Sequence, residues 1–115
     1  MPDAFQKYLQ EFLDYLKYQK RYSQHTIVSY QTDLTAFFEY ITFTFNPEGL
    51  PDIKAPIIRS WLASLKEQGL ESKSINRKIS ALKSFFKYQL RQQIIDTSPM
   101  ATVISPKVNK RLPQF

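Results

Sequence analysis

The sequence predicts an all-α protein: a bundle of four helices followed by an extended basic tail. Three observations carry this. Apolar residues recur in steps of three and four in four separate segments, no segment alternates with period two for long enough to make a strand, and Gly or Pro marks the gaps on either side of the third stretch.

The first helix is predicted over 3–20, with Phe5, Leu9, Phe12, Leu13 and Leu16 on one side. Asp3 suits its N-cap or first turn, and Lys17, Lys20 and Arg21 suit the negative end of its dipole. Ser23 opens the second helix, whose apolar side is Ile27, Tyr30, Leu34, Phe37, Phe38 and Ile41. A loop is expected from Thr42 to Lys54, because Asn46-Pro47, Gly49 and Pro51 disfavour a helix there. Pro56 falls in the first turn of a short third helix carrying Ile57, Ile58, Trp61, Leu62 and Leu65. Gly69 ends that helix as the left-handed residue after its C-cap, and Leu70 folds back as the accompanying apolar contact. Ser72 is expected to cap a fourth helix with Ile75, Ile79, Leu82, Phe85, Phe86 and Leu90 inside. Beyond Asp96, Ser98-Pro99, Ser105-Pro106 and Leu112-Pro113 exclude a further helix. The expected division is a helical domain over 1–96 and a basic, Pro-containing linker over 97–115.

Composition removes whole classes of function. The chain has 115 residues, no cysteine and one histidine, His25, so disulfides, thiolate metal sites and a histidine cage are not expected. No metal or other cofactor is called for. Gly49 and Gly69 stand alone, and no phosphate-cradling glycine loop can be written. No apolar run is long enough to span a membrane, and the N-terminus lacks the layout of a signal peptide, so a cytoplasmic protein is expected.

The net charge is +6, which favours an acidic partner, most often nucleic acid. The charge is also uneven. Residues 1–71 hold seven basic side chains and nine acids, whereas residues 72–115 hold nine basic side chains and one acid, Asp96. On the fourth helix, Ile79, Leu82, Phe86 and Leu90 lie within about 60° of Ile75. Lys73, Arg77, Ser80, Ser84, Lys87 and Arg91 cluster on the opposite side, with Ser74, Asn76 and Lys83 in the same stretch. A solubility face mixes Glu with Lys in i,i+4 pairs, and this face has none. A helix about 33 Å long at 1.5 Å per residue fits the major groove. Its cations would supply salt-dependent affinity, small hydroxyls would let backbone phosphates approach, and Arg and Asn would read base edges. Arg77, at the centre of that face, is the first candidate for base readout. The second helix adds His25, Thr26 and Ser29, with Lys20, Arg21 and Ser23 at its entry, where a helix N-terminus and cations favour phosphate. Three further cations, Lys107, Lys110 and Arg111, lie in the tail.

The stretch Ser23-Gln-His-Thr26-Ile-Val-Ser-Tyr30-Gln-Thr-Asp33-Leu34-Thr-Ala-Phe37-Phe38 resembles the second helix of the N-terminal core-binding domain of tyrosine recombinases of the phage-integrase and Xer type. Gly69-Leu70-Glu-Ser72-Lys-Ser74-Ile75-Asn-Arg77-Lys78-Ile79-Ser80-Ala81-Leu82-Lys83-Ser84-Phe85-Phe86 is similar to the fourth helix of that domain and its entry turn. Trp61-Leu62-Ala-Ser-Leu65 resembles the helix between, and Ile95-Asp96-Thr-Ser98-Pro99 with the basic tail resembles the linker to the catalytic domain. Two departures stand out: Tyr22 precedes Ser23 where the family often has glycine, and Lys54-Ala-Pro56 replaces a turn that usually carries an acid.

The resemblance implies a SAM-like four-helix bundle forming half of a C-shaped clamp, with its second and fourth helices facing the major groove. The partners it implies are duplex DNA, a covalently linked catalytic domain and further recombinase protomers, four on synapsed DNA. That catalytic domain would supply the Arg/Lys/His constellation and the tyrosine that forms a 3′-phosphotyrosyl intermediate. No catalytic residue is expected in this chain: Tyr30 and Tyr88 fall on bundle helices without an Arg-rich pocket, and no nucleophile–His–acid set can be drawn. The alternative from another class is an all-helical protein–protein interaction module, which the acid-free fourth helix disfavours.

Overall fold

In a computed structural model, residues 2–105 are described. They form four helices, α1 (Asp3–Tyr18), α2 (Gln24–Thr44), α3 (Ala55–Glu67) and α4 (Ser72–Arg91), with a 3-10 turn at Leu50–Asp52 and no strand among the described residues. The predicted all-α class and helix order stand. α2 packs against the other three helices, and α3 packs on α4.

Aromatic rings fill the centre. Phe5 stacks on Phe38 at 5.0 Å between centroids, Phe12 meets Phe85 edge-on at 5.5 Å, and Phe37 meets Trp61 at 5.2 Å. Edge-to-face pairs of this kind add to the burial of the rings themselves. Ile58, Ile75, Ile79 and Leu82 complete the core.

The helix ends follow local chemistry, with three adjustments. Ser23 caps α2 by accepting a hydrogen bond from the Thr26 amide at 3.2 Å. Gly69, at φ 93°, closes α3 in a Schellman motif: its amide donates to Lys66 O at 3.0 Å and that of Leu70 to Leu65 O at 3.2 Å. Pro56 sits in the first turn of α3. Ser72, expected as the α4 cap, is instead the first helical residue; Glu71 holds the cap position without a side-chain bond. α1 stops at Tyr18, two residues early, and its end continues into a turn in which Arg21 takes φ 57°. α2 runs on to Thr44, past the expected end at Ile41, because Asn46 at φ 51° is the residue that turns the chain out of the helix. α4 ends in a second Schellman motif built without glycine: Gln93, at φ 62°, donates to Leu90 O, and Ile94 donates to Gln89 O, both at 3.0 Å.

The start of the expected linker packs on the bundle. Ile95, Met100 and Val103 are buried, and the Arg59 guanidinium donates to the Thr102 carbonyl and hydroxyl, both at 3.2 Å. The packed unit thus reaches Val103, past the expected boundary at Asp96, because a Pro-broken segment still places apolar side chains in a groove left by the helices. Residues 106–115, and with them Lys107, Lys110 and Arg111, lie outside the described residues.

Candidate nucleic-acid interface

α2 and α4 lie side by side, and their seam opens as a groove of about 330 Å³ lined by His25, Thr26, Ser29 and Asp33 from α2 and by Arg77 and Ser80 from α4. Tyr30 forms part of its wall and also borders a second cavity of about 140 Å³, where Lys20 and Tyr22 meet Ser84, Lys87 and Arg91. The fold therefore gathers nine of the sequence-predicted residues along one continuous stretch: Lys20, His25, Thr26, Ser29, Arg77, Ser80, Ser84, Lys87 and Arg91. Arg21 and Ser23 are exposed in the turn leading to α2, and Lys73 and Lys83 are exposed on α4, outside these linings. Ser74 and Asn76 are half-buried and line neither cavity.

Asp33 is the only carboxylate in either lining, and it is already engaged. It is buried on α2, where its Oδ1 accepts from Lys78 Nζ at 2.7 Å and from Arg77 Nη2 at 3.1 Å, and its Oδ2 accepts from Arg77 Nε at 3.3 Å. The three groups carry a net charge of one positive unit, so the stretch stays cationic along its length. Arg77 does not project freely from the centre of an outward face as the helical wheel implied. It lies across the seam, 58 % exposed, with two nitrogens on Asp33. A guanidinium held this way presents its remaining edge in a set direction.

Asp33 is the residue that sequence reading missed, and with it the pairing that takes Lys78 out of the basic run of α4. The signal was present: Asp33 stands three residues after Tyr30 and four before Phe37, on the apolar side of its helix, where a carboxylate needs a cation partner. The contribution of α1 was missed as well. Tyr15 accepts a hydrogen bond from Arg91 Nη1 at 3.1 Å and packs against Tyr88, tilted by 34°, at 4.5 Å between centroids.

Two larger cavities lie elsewhere, one of about 390 Å³ between α3, the start of α4 and the tail, the other of about 450 Å³ beside the 3-10 turn. The first also brings cations and hydroxyls together, Arg59 and Lys66 with Ser72, Thr102 and Ser105, but on α3, the start of α4 and the tail, away from the α2–α4 seam. In the first, Arg59 is bonded to Thr102. No helix among the described residues is long and apolar enough to cross a membrane.

Comparison with known proteins places this architecture. "Tyrosine recombinase XerC" of Bacillus licheniformis is 36% identical over 108 residues, covering 94% of this chain and 35% of that protein. The protein of the same name from Pelotomaculum thermopropionicum is 38% identical over 112 residues, covering 94% of this chain and 37% of the relative. A "Tyrosine recombinase" of Pseudothermotoga lettingae is 36% identical, covering 96% and 38%. The chain thus spans little more than a third of the length of these curated relatives. No solved structure gives a significant match. The profile of the family described as "Phage integrase, N-terminal SAM-like domain" matches residues 9–93, from Leu9 on α1 to the left-handed turn that closes α4, and with these relatives it makes the chain a member of that family.

Proposed function

We propose that this chain is the DNA-gripping arm of a site-specific tyrosine recombinase, holding duplex DNA along the α2–α4 seam. The supporting observation is that cations of α4, Lys20 and small hydroxyls from both helices line two adjoining cavities whose only carboxylate is occupied by Arg77 and Lys78. Lys73, Lys83, Lys87 and Arg91 take backbone phosphates, as do Lys20, Arg21 and the entry to α2; Arg77, aimed by Asp33, reaches base edges. The hydroxyls of Ser23, Thr26, Ser29, Ser80 and Ser84 and the His25 ring add short polar contacts along the same path, with Ser74 and Asn76 beside it on α4. Lys107, Lys110 and Arg111 follow the DNA toward a catalytic domain carried by the rest of the parent protein. That domain, not this chain, performs strand exchange through a 3′-phosphotyrosyl intermediate, in a tetramer of protomers on synapsed DNA in the cytoplasm.

Duplex binding measured as a function of salt tests the reading. Half a clamp binds weakly, on the scale of roughly 10⁻⁴–10⁻⁶ M, and log affinity falls linearly with log salt. Lys73→Ala, Lys87→Ala and Arg91→Ala weaken binding, whereas Lys7→Ala and Lys66→Ala, which remove the same charge elsewhere, do not. Equal losses at both sets would show that only net charge acts, and the protein-interaction reading would then lead.

A further inference from the structure

We infer that the cavity between the end of α1 and the last two turns of α4 is a seat for a single phosphate group. The inference rests on the duplex-binding reading and adds a site with a stated occupant. The cavity holds about 140 Å³, room for a tetrahedral oxyanion and several waters. Lys20, from the turn after α1, converges there with Lys87 and Arg91, which stand four residues apart on α4. Like charges at that spacing repel. No carboxylate lines the cavity, and among the described residues none pairs with any of the three cations.

Two of the three cations are held by neutral groups. Arg91 donates to the Tyr15 hydroxyl at 3.1 Å and its guanidinium lies 5.7 Å from that ring's centroid. The Lys20 ammonium lies 5.9 Å from the centroid of Tyr22. Tyr88 buttresses Tyr15 at 4.5 Å between centroids, which stiffens the wall. Ring faces and a hydroxyl orient a cation without cancelling its charge. The site is therefore assembled and electrostatically unbalanced, and an anion completes it. The Tyr15 hydroxyl accepts from Arg91 and so keeps its own proton to donate to that anion. Donors that arrive from α1, the following turn and α4 surround a volume, which matches a tetrahedral phosphate better than the planar fork of a carboxylate.

Two measurements on this chain test the seat. In amide NMR spectra at constant ionic strength, inorganic phosphate is expected to give saturable shifts confined to Lys20, Tyr22, Lys87, Arg91 and their neighbours, with acetate and chloride inert there. Arg91→Gln should weaken that response at least tenfold. Tyr15→Phe, which keeps the ring and the packing, should weaken it several-fold. In duplex binding, one shared phosphate makes the variants non-additive: Lys87→Gln with Arg91→Gln and Lys20→Gln together flatten the salt slope by about 0.9, the value for one contact. A triple variant that flattens it by about 2.7, three contacts' worth, would place the cations on separate phosphates and overturn the seat. So would equal shifts with acetate, the result for an acidic peptide surface, or no shift with phosphate. Saturable phosphate shifts with an unchanged slope would keep the seat and assign it to a free phosphate group instead of the duplex backbone. Loss of all duplex binding in the unaltered chain, with phosphate shifts intact, would sink the DNA reading and leave the seat standing.

Discussion

Arg77 on α4 reaches across the bundle seam to Asp33 on α2, with Nη2 3.1 Å from Oδ1 and Nε 3.3 Å from Oδ2. Lys78, the next residue, closes on the same Oδ1 at 2.7 Å. The carboxylate is 3 % exposed, Lys78 13 % and Arg77 58 %, so one buried acid ties down one sheltered cation and one that still faces solvent.

That asymmetry sets the first expectation. Asp33→Ala leaves Lys78 sheltered without a counter-charge and should cost about 3–5 kcal/mol of folding stability. Arg77→Ala leaves the Asp33–Lys78 pair intact and, being largely exposed, should cost about 1 kcal/mol or less. Urea titrations of both variants check this; equal losses would mean that Arg77, not Lys78, neutralises the buried acid.

The same arrangement separates stability from recognition. Arg77→Ala should lose about 1–3 kcal/mol of affinity on the parent recombinase's own site and less on random duplex, a pattern that phosphate contacts do not produce. Fluorescence anisotropy with the two duplexes at one salt concentration measures the difference. A uniform loss on both would return Arg77 to the phosphate-binding set.

Leu82 and Phe86 lie on the buried side of α4 and are 1 % and 0 % exposed. Truncating either to alanine should cost roughly 2–5 kcal/mol through lost burial and the cavity left behind. Chemical denaturation followed by helical circular dichroism gives the value, and near-wild-type stability in both would contradict the packing of α4.

Gln93 holds φ 62° at the position after the α4 C-cap, where glycine carries no steric penalty. Gln93→Gly should therefore stabilise the domain by about 1 kcal/mol, while Gly69→Ala at φ 93° should destabilise it by a comparable amount. Opposite shifts in melting temperature are the readout.

Met100 and Val103 are buried although they follow the Pro-containing break. A chain ending at Asp96 should melt well below one ending at Ser105, and Met100→Ala alone should cost about 2–5 kcal/mol. Equal melting temperatures would make the segment a mere passenger on the bundle.

The sequence by itself determined what depends on neighbours a few residues away. Helical periodicity marked the four helices and nearly all of their buried residues, Ser23 and Gly69 announced a cap and a Schellman turn, and the unbalanced cations of α4 marked the charged face, because backbone preference, capping and side-chain sign are local properties. Tertiary structure alone decided which groups meet. Asp33 finds Arg77 and Lys78 at separations of 44 and 45 residues, and Arg91 finds Tyr15 at 76. Those contacts depend on how each helix is rotated and slid against its neighbour, which many side chains set together and no single segment encodes. Gln93 shows the same limit on the small scale: nothing in a glutamine signals a left-handed turn, and it adopts one because Ile94 and Ile95 turn back against the bundle. The tail follows that rule too, since prolines forbade a helix there but the groove left by the helices decided that Met100 and Val103 would be buried.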